Sequence, residues 1–175
     1  MTRRHPGPTL TRLLRAPTRL YDWHAGWIFG RRFLRLTHAG RRTGRRYQTM
    51  LEVVGEIRAR HEVVVVAGLG RSAHWYRNLL ADTATEVAIG RERFAPLYRE
   101  LDQTEAATVL ADYERRNRYI APIIRRVLSW LVGWQYDGTP AKRLQLVSEL
   151  PMIGLRPTRT RPDPGRSELP ATNRT

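Results

Sequence analysis

Two stretches of the sequence combine residue types that grip and position a ligand. The first reads Leu36-Thr37-His38-Ala39-Gly40-Arg41-Arg42-Thr43-Gly44-Arg45-Arg46, an apolar segment running into two glycines, a hydroxyl and four arginines. Glycine lets the main chain approach a ligand and offer its N–H groups, and the guanidinium fork pairs with phosphate or carboxylate. The spacing makes an anion-binding loop. It is not a Walker loop, because GxxxxGK(S/T) is absent. On composition alone, a solvated turn with incidental arginines has an equal claim in so arginine-rich a chain.

The second stretch reads Val66-Ala67-Gly68-Leu69-Gly70-Arg71-Ser72-Ala73-His74-Trp75-Tyr76-Arg77-Asn78-Leu79-Leu80. It leaves an apolar strand through glycines and enters a helix with adjacent aromatics. Small residues at a strand end leave room for a flat ring, and a helix N-terminus adds donors beside it. Taken singly, Trp75 and Leu79 read as staples holding the helix to the body. Other chemistries drop out. The five histidines, His5, His24, His38, His61 and His74, lack ligand spacing, so no metal is expected. Ser72 has no GxSxG context, no carboxylate pair sits in a hydrolytic motif, and the absence of cysteine excludes a catalytic thiol and disulfides.

Short extended segments should position these motifs. Residues 33–37, 47–56, 61–67, 86–89 and 92–101 read as strands, with a hairpin around Gly55, a turn at Gly90 and Arg91, and an edge or bulge at Pro96. Asp102 followed by Glu105 resembles a capping box, opening a helix to about Asn117 with Ala106, Val109, Leu110 and Tyr113 on one face. Residues 121–134 form a second, richly apolar helix. Residues 144–150 read as the last strand, with 152–155 continuing it. Five or six short, mostly antiparallel strands with two or three helices make an α+β fold built on a small barrel.

With 175 residues, one domain is expected. The net charge is +15, and every basic residue except Lys142 is arginine. That charge sits at the ends. Residues 1–46 carry twelve arginines against Asp22 alone, and 156–175 carry five against Asp163 and Glu168, leaving the middle nearly neutral. A neutral body argues against nucleic acid and for a peripheral contact. Leu20, Trp23, His24, Trp27 and Ile28 recur at helical spacing among arginines, the makeup of a helix on an anionic membrane surface or, equally, of one packed on the barrel. The division is then a basic amphipathic segment over 1–31, a barrel domain over 32–157 and a disordered Pro/Arg-rich tail over 158–175. No signal peptide or spanning segment is apparent, so a cytoplasmic protein is expected, peripheral at the inner face of the plasma membrane if residues 1–32 touch lipid. A homodimer is left open.

Taken together, the order LTHAGRRTGRR, ML, VVVVAGLG, HWYRNLLAD resembles the deazaflavin-dependent nitroreductase family, which uses coenzyme F420 on the split β-barrel fold of flavin-binding reductases. The resemblance spans about Leu36 to Pro157, with its specific motifs between Leu36 and Asp82. It implies that Arg41, Arg42 and Thr43 face the anionic lactyl-phosphate and glutamate tail. Tyr47, Gln48, Thr49, Met50, Leu51 and Glu52 would line the coenzyme. Val66, Ala67, Gly68 and Leu69, with His74, Trp75, Tyr76, Arg77 and Asn78, would hold the ring system and its side chain. Where such members carry R-x-x-P-L, this chain has Tyr47 and Met50, with Arg45 and Arg46 nearby as substitutes; the proline of NL-x-A-x-P is Thr83 here. The implied activity is hydride transfer from reduced F420 to a quinone-like or nitroaromatic acceptor, with the coenzyme carrying the hydride and no protein acid or base required. Tyr113, Tyr119, Trp130 and Trp134 are candidates to stack on that acceptor, against plain core packing for most of them. The competing readings are the same barrel holding FMN, and a non-enzymatic basic module binding anionic lipid or nucleic acid.

Overall fold

In β1 (Phe33–Ala39) the buried Leu34, Leu36 and His38 alternate along one face of the strand, and Thr37 is buried on the other. The structure, a computed structural model, describes residues 31–81 and 84–158. The amphipathic segment expected before β1 and the tail expected after 158 lie outside the described residues. Next come β2 (Arg46–Ile57) and β3 (Glu62–Val66), a short helix α1 (His74–Leu79), then β4 (Ala84–Ile89), β5 (Glu92–Phe94) and β6 (Pro96–Glu100). Three helices, α2 (Gln103–Arg116), α3 (Ala121–Val132) and α4 (Pro140–Glu149), precede the last strand β7 (Met152–Pro157).

All paired strands are antiparallel, in the order β5-β4-β1-β2-β3-β7-β6. The two ends of this sheet, β5 and β6, are separated in sequence by Ala95 alone, so the sheet must curl until its edges meet. The edges approach without pairing, which makes the barrel a split one. Pro96 opens the edge strand β6, where its missing N–H costs no ladder bond. The expected strand over 92–101 is therefore two strands, because the chain changes partner from β4 to β7 at Ala95.

The barrel interior gathers Leu34, Leu36, Leu51, Val63, Val65, Ile153 and Leu155 around Trp75, Tyr76 and Leu79 of α1. Burying each such side chain contributes about 1.5–3 kcal/mol. A second core forms outside, where Val54, Val64 and Met152 meet Leu110, Leu128 and Leu146 of the three later helices. Asp102 caps α2 by accepting from the Glu105 N–H at 2.8 Å. The Glu105 carboxylate pairs with Arg99 rather than completing the box.

Two expectations are corrected here. Residues 144–149 belong to helix α4, opened by Thr139 and Pro140 and closed by Leu150, and only 152–157 form the strand. The buried Leu146, Val147 and Leu150 fit a helical face, and the alternating leucines at 144, 146 and 150 merely imitate a strand. Gly55 is not a turn but lies within β2 at a register shift. A Cβ there would sit 2.7 Å from Val109 Cγ1, so glycine lets α2 press onto the strand. The β2–β3 turn is instead Arg58–Arg60, closed by His61 at φ 50°.

Candidate functional site

The β1–β2 hairpin carries the arginine loop. Gly40 N–H donates to Arg45 O at 2.8 Å, and Gly44 N–H donates to Gly40 O at 2.7 Å. Gly44 takes φ 63°, open to glycine at no steric cost. At Gly40 a Cβ would lie 2.8 Å from Thr43 Oγ1 and 2.9 Å from Tyr47 Cε2, so the loop is drawn tight against the strand.

Helix α1 meets this loop. Asn78 Oδ1 accepts from the Arg41 main-chain N–H at 3.3 Å and from Arg41 Nη1 at 3.0 Å. The Asn78 amide nitrogen lies 3.0 Å from His38 Nδ1, and His38 Nε2 lies 3.2 Å from Thr49 Oγ1. With Asn78 donating to Nδ1, the proton of the neutral imidazole is assigned to Nε2, facing Thr49. Both Asn78 and His38 are buried, and burial holds the His38 pKa below its ordinary value. The ring of Tyr47 stacks on His38 at 5.9 Å, and the Arg45 guanidinium lies 6.0 Å from the Tyr47 centroid. Thus Arg41, Thr49, Tyr47 and Asn78 come together around a histidine that the motif reading did not select. Its signal was present: period two places His38 on the inward face with Leu34 and Leu36, immediately before the loop.

Arg77 joins the cluster. The Arg41 pKa is lowered by loss of solvent and then by the charges of Arg77 and Arg42, so both of these cations act on Arg41. None of the three pairs with a carboxylate among the described residues. Cations with no carboxylate partner among the described residues make a donor set that fits an anion carrying phosphate and carboxylates.

The remaining candidates separate. Trp75 and Tyr76 are buried in the barrel core, and the Tyr76 hydroxyl donates to Glu100 Oε2 at 2.7 Å while accepting from Arg71 Nη1 at 2.8 Å. Leu51 is also core, whereas Gln48 and His74 are exposed and Met50 is half-buried. Glu52 accepts from the Tyr113 hydroxyl at 2.8 Å and from Arg32. Val66 ends β3 and Ala67 leads to Gly68, where an added Cβ would meet Leu131 of α3 at 3.6 Å. Leu69 is exposed beyond it.

The four aromatic candidates do not converge. Tyr113 alone touches a coenzyme-strand candidate, through Glu52. Tyr119 is exposed under Arg118 before α3, and Trp130 is half-exposed on the outer side of α3. Trp134 packs edge-on to Tyr136 and donates to Glu149 at 2.9 Å.

A family model described as F420H(2)-dependent quinone reductase matches residues 13–120. Among solved structures, a chain described as a domain-swapped dimer is 17% identical, covering 80% of this chain and 99% of that one at a TM-score of 0.45. A structure of an F420-H2 dependent reductase (FDR-A) is 18% identical, covering 73% of this chain and 96% of that one at 0.39. A pyridoxamine 5'-phosphate oxidase-related, FMN binding protein from Nostoc punctiforme is 12% identical, covering 87% and 81% at 0.39. No curated protein matches the chain. The family match spans both the arginine loop and the glycine-to-helix motif that meet at Asn78, and the chain belongs to the F420H2-dependent quinone reductase family, oxidoreductases whose coenzyme is reduced F420.

Proposed function

We propose that the acceptor is a quinone-like or nitroaromatic compound, and that Arg41, Arg42 and Arg77 hold the coenzyme tail while the end of β3 at Gly68 and Leu69 receives the ring. The observation that carries this reading is the Arg41–Asn78 contact, which brings the two motifs together beside Arg41, Arg42 and Arg77, none of them paired with a carboxylate among the described residues. When bound, reduced deazaflavin supplies the hydride, and the acceptor takes up that hydride and a proton. The chain's own residues bind, orient and exclude water. His38 and Thr49 fix Asn78, Asn78 fixes Arg41, and the guanidinium groups neutralise the tail. Tyr113, half-buried, keeps its proton through the physiological range because burial and then the Glu52 charge raise its pKa. Three guanidinium groups exceed what the single phosphate of FMN needs, which favours the longer anionic tail.

Residues 1–32 would hold the enzyme at an anionic membrane surface through their arginines and tryptophans. Among the described residues no helix is long and apolar enough to cross a membrane. Deleting residues 1–30 should then abolish much of the binding to anionic vesicles at low salt, and unchanged binding removes this part of the proposal.

The test of the site is a fluorescence titration of F420, and separately of FMN, into the wild type and an Arg41→Ala/Arg42→Ala double variant. F420 should bind the wild type more tightly than FMN does, and its affinity should fall on the order of tenfold or more in the variant, because charge-assisted contacts are lost. Equal F420 affinity for both proteins overturns the assignment.

A further inference from the structure

Helix α3 carries more apolar surface than the fold uses. Ala121 and Leu128 are buried, with Ile124 and Leu131 packed beside them. Ile123, Val127 and Trp130 remain 65%, 51% and 50% exposed. Steps of four and three residues align these three on one stripe of the helix. Tyr119 and Ile120, just before the helix, extend the stripe and are exposed as well. Single exposed apolar side chains are ordinary, but a continuous stripe marks a surface that something covers.

Charge decides what covers it. From 115 to 136 the chain has five arginines and no acid; Arg115 pairs with Asp112, Arg125 with Glu114 and Arg116 donates to the Val54 carbonyl, which leaves Arg118 and Arg126 beside the stripe. Arg126 lies one turn from both Ile123 and Trp130, is exposed, and forms no ion pair with any described residue. Arg118 lies 4.8 Å over the ring of Tyr119. A second copy of the chain would bring its own Arg118 and Arg126 against those of this face, like charges that oppose association. An anionic bilayer accepts both features, taking the apolar stripe into the headgroup boundary, with tryptophan at its preferred depth and arginine beside lipid phosphates.

The same helix also borders the strand end proposed for the coenzyme ring. Leu131, on the packed side of the helix, would lie 3.6 Å from a Cβ on Gly68, and the neighbouring Leu69 is 55% exposed. The geometry points to the outer face of α3 as a docking surface for an anionic lipid bilayer, which sets the ring end of the site at the membrane so that a lipophilic acceptor enters without crossing water. This surface is distinct from residues 1–32. Only its role in delivering an acceptor rests on the proposed function; the lipid contact itself does not.

The test uses the full chain and co-sedimentation with phosphatidylglycerol-containing vesicles, against vesicles of phosphatidylcholine alone. The wild type should bind the anionic vesicles selectively. An Ile123→Gln/Val127→Gln variant should lose on the order of tenfold in vesicle affinity, and Arg126→Gln should weaken binding and flatten its salt dependence. F420 affinity of the double variant, read by fluorescence, should stay at the wild-type value and so report an intact fold. Turnover of a long-chain quinone in vesicles should fall in that variant, while turnover of a water-soluble short-chain quinone should not. Undiminished vesicle binding by the double variant overturns the proposal. So does a drop in oligomeric size of the double variant in solution, which would make a second copy the occupant. Absence of F420 binding in every protein would instead refute the coenzyme reading and leave the vesicle result standing.

Discussion

Asn78 and Arg41, 37 residues apart, are joined twice through one oxygen: Asn78 Oδ1 accepts from the Arg41 main-chain N–H at 3.3 Å and from its Nη1 at 3.0 Å. The amide nitrogen of the same side chain faces His38 Nδ1 at 3.0 Å. One buried amide thus fixes the arginine loop to helix α1 and to strand β1. This side chain joins the two sequence motifs.

Replacing Asn78 with leucine removes both functions of the amide. The buried His38 loses its donor and Arg41 its acceptor, a combination that should cost about 1–3 kcal/mol of stability and weaken F420 binding several-fold. Asn78→Asp keeps the acceptor for Arg41 but places a negative charge beside the coenzyme tail. Its F420 affinity should fall further than that of the leucine variant, even though the Arg41 contact survives. Thermal melting and F420 titration of the two variants check the pair of outcomes, and the reverse order of affinities would show that the tail does not lie near Asn78.

His38 makes the same network pH-sensitive. Its pKa is lowered in the folded protein by burial, against an ordinary value of 6.5. The unfolded chain therefore binds this proton at a pH where the folded chain does not. Stability is full above pH 6.5, falls as the pH drops from there toward the folded value, and levels off below it. Protonation also puts a second donor against the Asn78 amide. Denaturant unfolding of the wild type across this range should show that decline, and His38→Gln should flatten it. The same slope in both proteins would place the proton elsewhere.

How much of this was legible in the sequence depends on the range over which each residue acts. The valines of β3, the Asp102 cap and the turn at Gly90 answer to neighbours a few residues away, and their places follow from local pattern. His38 was half legible: alternation sets its direction, but its partners Asn78 and Thr49 come from other elements. The family resemblance makes Trp75 and Tyr76 holders of the ring, and the curl of the sheet, which no local pattern shows, sets both in the barrel interior. The four acceptor aromatics share a composition but not a place, since α2, α3 and the segment after α3 face different ways.

Gly55 illustrates the same limit and gives a third prediction. Its reason for being glycine lies 54 residues onward in Val109, whose Cγ1 would be 2.7 Å from an added Cβ. Gly55→Ala must push α2 away from β2, at a cost of about 1–3 kcal/mol by overpacking. Because α2 also carries Tyr113 to Glu52 at 2.8 Å, that hydrogen bond should loosen. Shortening the obstruction with Val109→Ala in the same chain should recover much of the lost melting temperature. A double variant no more stable than Gly55→Ala would show that the contact is not the cause.

The inner end of α1 is held by Tyr76, and this anchor predicts the alkaline limit of the fold. Its buried hydroxyl donates to Glu100 at 2.7 Å, and Arg71 pairs with both. The tyrosine pKa is pushed up to about 12, first by burial and then by the Glu100 carboxylate. Between pH 10 and that value the unfolded chain releases a proton that the folded chain retains. Stability from this group is complete below pH 10 and is lost as the pH rises toward 12. Tyr113 and Tyr136 are raised in the same direction, so Tyr76→Phe should remove part of the alkaline decline, not all of it. The variant should also lose about 1 kcal/mol at neutral pH from the missing hydrogen bond. Since Tyr76 and Asn78 share one short helix, a small loss of F420 affinity should accompany it. Unfolding curves of wild type and variant from neutral pH to pH 12 check the slope, and parallel curves would mean that the alkaline limit is set without this anchor.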